Sequence, residues 1–302
     1  MLLSARPPSL ALPRRLLLAS VAFMSVAVVV HVAWLLNGQP DWLLRGYFDY
    51  PNALFLIGCT VFELILCRRA WRAFQPGAPL RRAWAAMTVA AALHMTGMVG
   101  SQILGVDSAL NPLHYWHEAA LGLTWRPAAL AIQGSLYMTV LSVGLWLVDQ
   151  VYRRAGLAAA LRGSDFLLMG LAVLYTGVVL KQVMDAHPRL TLLNVGDWSN
   201  NPLLCILLLQ AIRLRRSVQR TAGGLIGNCW NAYLIGIFLT LVGSMGLWAS
   251  AYGHLPYPEG AFTWYVWSSA MAAFTLGPAY QVAAIRMAAE RDATDLTLAA
   301  GR

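Results

Sequence analysis

Lysine is nearly absent from this sequence, and charge of either sign is scarce. One lysine, Lys181, stands among 302 residues, and only 12% of the side chains are charged. A soluble domain carries about twice that fraction, so an ordinary water-soluble globule is excluded. Cysteine is equally sparing. Cys59, Cys67, Cys205 and Cys229 all fall in apolar runs or beside arginine-rich turns, which excludes a disulfide framework on an outer surface. Also missing is any long hydrophilic stretch, so function has to reside in the apolar runs and the loops between them. There is no basic domain either. The arginines are spread over separate short segments, and the net charge of +9 does not read as nucleic-acid binding.

What the sequence has in abundance is apolar length, with 59% hydrophobic residues. About 20 apolar residues cross a bilayer core of roughly 30 Å. Eight runs qualify as spans: 16–36, 52–68, 83–105, 128–149, 165–185, 201–215, 224–250 and 262–285. The sixth is the shortest, and PLLCILLLQAI needs flanking residues to reach across. The class expected is an all-α integral membrane protein with the lipid bilayer as its first partner.

Charge sets the expected orientation. Segments on the cytoplasmic side of a membrane hold an excess of Lys and Arg. With the N-terminus inside, the inner segments hold Arg6, Arg14, Arg15, Arg68, Arg69, Arg72, Arg81, Arg82, Arg153, Arg154, Arg162, Arg213, Arg215, Arg216, Arg220, Arg286, Arg291 and Arg302. The outer loops hold only Arg45, Arg126 and Arg189. Both termini are therefore expected in the cytoplasm, in a cell membrane of the bacterial inner-membrane type. Arg14-Arg15 before an apolar run imitates a signal peptide, but the run continues to Leu36 and is expected to stay as the first span.

The chain also repeats itself. Residues 39–52, QPDWLLRGYFDYPN, align with 187–200, HPRLTLLNVGDWSN, pairing Pro40 with Pro188, Asp49 with Asp197 and Asn52 with Asn200. Upstream, VVVHVAW aligns with VVLKQVM and sets His31 opposite Lys181. Downstream, Trp84 aligns with Trp230, Gly97 with Gly243 and Gly144 with Gly277. Two tandem four-helix repeats of the same orientation are expected, at 1–155 and 156–302. For Asp49, Asn52, Asp197 and Asn200 two readings stand side by side. They start helices as capping residues, or they form, with His31 and Lys181, a polar ring at the outer mouth of a cavity between the repeats.

Differences between the repeats point to chemistry more directly. The first repeat carries an inserted outer segment around 106–123, where NPLHYWHEAALGL sets His114, His117 and Glu118 at i, i+3 and i+4. That spacing is a candidate three-ligand face for a divalent metal, or else an interfacial helix with Tyr115 and Trp116 at headgroup level. Glu63 in the second run and His94 in the third are ionisable groups inside spans, which are functional hypotheses by default. The aligned places in the second repeat lie near Gln210 and Thr240. The bland alternatives are that Glu63 reaches Arg68 or Arg69 and that His94 bonds a backbone carbonyl. Lys181 is expected to reach outward to Asp185, four residues on.

Four functional classes follow. A small-molecule or ion permease, or a membrane-embedded ligand-binding protein, would use Glu63 and His94 as its pair. A redox protein would hold haem b or a quinone, with His31 and His94 as the histidines inside spans. A metal-dependent membrane enzyme would use the outer His114/His117/Glu118 face. A scaffold or sensor subunit would need a membrane-protein partner or a second copy of itself.

Overall fold

A computed structural model of the protein describes residues 10–38, 51–104, 125–192, 194–219, 224–251 and 262–300. Among these residues the chain is all-helical. The eight helices are α1 (Ala11–Leu36), α2 (Ala53–Ala73), α3 (Pro79–Leu104), α4 (Trp125–Arg154), α5 (Gly163–Ala186), α6 (Val195–Gln219), α7 (Gly224–Ala251) and α8 (Phe262–Ala300). They follow the eight apolar runs in order. Five of them, α1, α3, α4, α5 and α7, contain stretches long and apolar enough to cross a membrane. The others are more polar. α2 carries Glu63, Arg68, Arg69 and Arg72 within 21 residues, and α6 carries Asp197, Asn200, Asn201 and three arginines.

The helix ends have local causes. Phe74 turns to an extended conformation after α2, Gly77 takes φ +88°, and Pro79 opens α3. After α4, Gly156 at φ +73° closes a Schellman motif in which Leu157 N–H donates to the Tyr152 carbonyl at 2.9 Å and Gly156 N–H to that of Arg153 at 3.1 Å. At the start of α5 the Asp165 carboxylate accepts the Arg162 N–H at 2.8 Å. Before α6, Asn194 folds the chain back, its side-chain oxygen accepting Thr191 N–H at 2.7 Å. This turn starts α6 at Val195, six residues before the apolar run begins, which supplies the length that run lacked.

Six helices close a ring of contacts in the order α2, α3, α4, α6, α7, α8 and back to α2, while α1 packs on α8 and α5 on α6. The interior is filled chiefly by Trp84, Met87, Leu141, Leu145, Leu207, Leu208, Trp230 and Tyr233, each at most 2% exposed. Close approach is secured at several glycines, among them Gly144 and Gly277. A Cβ on Gly144 would lie 2.7 Å from Met87 Cγ, and one on Gly277 would lie 2.6 Å from Tyr233 Cε2. The apolar side chains left exposed concentrate on α1 and α5, including Val29, Leu36, Phe166, Leu167 and Leu174. Faces of that kind suit lipid rather than water.

Candidate functional site

On α2 the buried residues Leu56, Cys59, Glu63, Leu66, Cys67 and Ala70 recur at helical spacing, so Glu63 projects into the interior among apolar neighbours. On α3 the same holds for Ala83, Met87, Ala90, Ala91 and His94. Both helices run unbroken to the turn at 74–78. Glu63 is ten residues from the last residue of α2 and His94 fifteen from the first of α3, a depth difference of about 8 Å that side-chain reach and helix tilt close. His94 Nδ1 lies 3.0 Å from Glu63 Oε2. Glu63 is 2% exposed and His94 6%. Neither bland alternative describes the geometry, because the glutamate meets the histidine rather than Arg68, Arg69 or a carbonyl.

Two further helices complete the surroundings. Tyr137 of α4 stacks on the imidazole, with centroids 4.3 Å apart and planes at 17°, and Phe274 of α8 meets it edge-on at 6.2 Å. The Tyr137 hydroxyl has no hydrogen-bond partner among the described residues. The Gln133 amide donates to the Leu93 carbonyl and occupies the space beside Gly97. Chemically the pair has two states of equal proton count. Ionised Glu63 accepts from Nδ1–H of a cationic ring, or protonated Glu63 donates to the bare Nδ1 of a neutral one. A proton can therefore move along this bond without creating net charge in an apolar interior, where net charge is costly.

Nearer the end opposite the arginines lies a second polar level. Ser268 donates to Asn52 Oδ1 at 2.7 Å. On the other side of the ring the Ser135 hydroxyl is 2.7 Å from that of Ser199 and 3.5 Å from Asn200 Oδ1. Asn52 thus spends its side chain on α8 and makes no capping bond to its own helix. Asn200 sits inside α6, away from its start, whereas Asp197 stands in the first turn of α6, at the helix start as expected though not as its cap. Asn194, which sequence reasoning passed over, makes that turn. One oxygen of Asp197, Oδ2, has no partner among the described residues. His31 lies against Trp34 at 5.4 Å and Tyr265 at 5.2 Å. Lys181 pairs with Asp185 at 2.6 Å on the exposed face of α5. Asp49, His114, His117 and Glu118 lie outside the described residues, and among those described no three metal-donor side chains gather.

Two buried carboxylates were missed. Asp149 of α4 meets Arg213 of α6 at 2.9 Å and Arg153 at 3.0 Å. Asp165 of α5 takes a two-pronged bond from Arg216 of α6, at 2.7 and 2.9 Å. The i, i+4 spacing of Asp149 and Arg153 was a usable signal. The cross-helix partners had none.

No family model matches the chain, and neither a characterised protein nor a solved structure matches it. The helical architecture with several long apolar helices is compatible with a polytopic membrane protein and supports membrane residence.

Proposed function

We propose that the chain crosses the membrane eight times as two same-orientation four-helix repeats, with its arginine-rich face and both termini in the cytoplasm. In this reading it is a small-molecule or ion permease, or a membrane-embedded ligand-binding protein, with a polar site facing outward. Glu63 and His94 carry a proton at that site. The observation that carries the proposal is the hydrogen-bonded Glu63–His94 pair, buried in one half only. Ionisable groups in apolar helices are rare without a function.

The repeat reading draws support from the contact order. Exchanging α1–α4 with α5–α8 maps the six-helix ring onto itself. The same exchange maps Asn52–Ser268 onto Asn200–Ser135, and Gly144–Met87 onto Gly277–Tyr233. Along α8, Ser268 and Phe274 are six residues apart, so the Asn–Ser level lies about 9 Å above the histidine. A solute entering between the repeats meets neutral hydrogen-bonding groups first and the titratable pair next. Below the pair, Trp84 and Trp230, with ring centroids 6.4 Å apart, close the way to the arginine-rich end.

The test is infrared titration of the purified protein in membranes. A protonated-carboxyl band that responds to pH or to added solute, and that vanishes in Glu63→Gln while expression stays normal, is the expected result. Proton-coupled uptake into vesicles should fall with Glu63→Gln and with His94→Ala. A pair that never changes protonation, with both variants behaving as the parent, reduces Glu63 to an anchor.

A further inference from the structure

The arginine-rich end is built differently in the two halves. In the second half its arginines meet carboxylates. Arg216 of α6 donates to both oxygens of Asp165 and its side chain is 12% exposed, and Arg213 meets Asp149 at 2.9 Å. In the first half the residue aligned with Arg216 is Arg68. The helix that corresponds to α5, which carries Asp165, is α1, and α1 has no carboxylate. Arg68, Arg69 and Arg72 near the end of α2 and Arg82 at the start of α3 are exposed, with no ion-pair partner among the described residues. Arg81 spends its guanidinium on the Phe74 carbonyl at 3.2 Å.

The chain around this hairpin offers no counter-charge. Glu63 is engaged with His94, and no acidic residue follows it before Asp107. The segments 1–9 and 220–223, which lie outside the described residues at this end, hold none either. α8 places Glu290, Asp292 and Asp295 in its last turns, interleaved with Arg286 and Arg291. Helix polarity sharpens the excess. Arg81 and Arg82 stand in the first turn of α3, which holds no acidic residue. That end of a helix carries partial positive charge and favours an anion. The faces leading to the arginines are apolar. On α2, exposed Phe62 and Ile65 share a stripe with Arg69 and Arg72 at helical spacing, and on α3 exposed Val89 lies two turns from Arg82 on the same face. An apolar strip that ends in guanidinium groups matches a lipid whose tail lies along the helix and whose phosphate accepts from arginine.

We infer that the α2–α3 hairpin binds the phosphate head of an anionic membrane phospholipid, with Arg68, Arg69, Arg72 and Arg82 as its donors. The inference rests on the chain crossing the membrane and not on proton transfer at Glu63 and His94. The experiment is native mass spectrometry of the full chain in detergent, titrated in separate arms with a phosphatidylglycerol and a phosphatidylcholine of the same acyl chains. A saturable first adduct about tenfold tighter for phosphatidylglycerol is expected. Arg69→Gln with Arg72→Gln should reduce that preference to about twofold or less, and so should Arg68→Gln with Arg82→Gln. Arg14→Gln with Arg15→Gln removes the same charge from exposed positions at the start of α1 and should leave the preference intact. Equal affinity for the two lipids, or an equal loss in the α1 and hairpin variants, overturns the assignment. Displacement of the phosphatidylglycerol adduct by inorganic phosphate, where chloride of the same ionic strength leaves it in place, marks a site for soluble phosphate and overturns the lipid as its occupant. A chain that takes up neither lipid removes the membrane-spanning proposal as well, whereas equal uptake of both removes this inference alone.

Discussion

Where the first half buries Glu63 against His94, the aligned stretch of the second half carries Gln210 and Thr240. Thr240 turns its hydroxyl back onto its own helix, donating to the Gly236 carbonyl at 2.8 Å, and Gln210 Oε1 has no partner among the described residues. The α6–α7 hairpin therefore packs without a bond of the Glu63–His94 kind, although α6 and α7 are neighbours just as α2 and α3 are. In the repeat reading proposed above, a pair required for packing would be needed twice, and its presence in one half is what favours a chemical role for it.

That contrast can be broken most forcefully at the pair itself. His94→Ala removes the stacked ring and leaves Glu63 buried with no partner. It should lower unfolding stability by about 3–5 kcal/mol, the usual cost of stripping one member from a buried charged pair. Converting both residues to the second half's types, Glu63→Gln with His94→Thr, should cost less than the sum of the two single variants, because no group is then left charged and alone, although Thr leaves the space of the ring between Tyr137 and Phe274 empty. Denaturant titration in mixed micelles measures both. A double variant as unstable as the sum of the single ones would make the pair structural and remove the contrast between the halves.

The next comparison concerns packing at the two glycines. A Cβ on Gly277 meets the fully buried ring of Tyr233, whereas one on Gly144 meets the flexible side chain of Met87. Overpacking against a rigid ring costs about 1–3 kcal/mol, offset in part by about 1 kcal/mol of helix propensity gained over glycine. Gly277→Ala should therefore destabilise clearly, and Gly144→Ala should destabilise less, because the Met87 side chain can shift while its backbone nitrogen, 3.3 Å from the new Cβ, cannot. Equal effects in the same titration would mean that Met87 is held as firmly as Tyr233.

The helices were legible because their apolar runs are long and punctuated by Pro, Gly and arginine. α6 was legible in its centre and not at its start, since Asn194 acts through a turn with Thr191 that hydropathy does not register. Glu63 and His94 stood out as charged types in apolar runs, and a five-residue turn between two unbroken helices brings them close. Tyr137 and Phe274 did not stand out. An aromatic residue in an apolar helix looks the same whether it fills space or stacks on an imidazole, and their positions depend on helices from distant parts of the chain. The Asn52–Ser268 bond joins residues 216 positions apart, and Asn52 beside Pro51 reads locally as a helix start. Only the packing of α8 on α2 gives it another role. Asp149 is similar, because its partner Arg213 belongs to a helix that becomes a neighbour only when the ring closes.

The smallest expected effect lies at the Asn–Ser level, where the halves are most alike. Ser268→Ala removes a 2.7 Å bond to an asparagine that is 5% exposed. It leaves Asn52 Oδ1 without that donor, in a side chain whose Nδ2 already lacks a partner. A loss of about 1–2 kcal/mol is expected. Ser135→Ala removes a 2.7 Å bond to Ser199 and a 3.5 Å contact to Asn200, and Ser199 keeps its 2.7 Å bond to the Val195 carbonyl. About 1 kcal/mol or less is expected there, since Ser199 stays satisfied. If the two variants lose the same stability, the two Asn–Ser levels are energetically equivalent and asymmetry is confined to the Glu63–His94 level. If Ser268→Ala loses more, the asymmetry extends through the α2–α8 seam, which runs from Asn52 at one end to the level of Glu63 and Phe274 below.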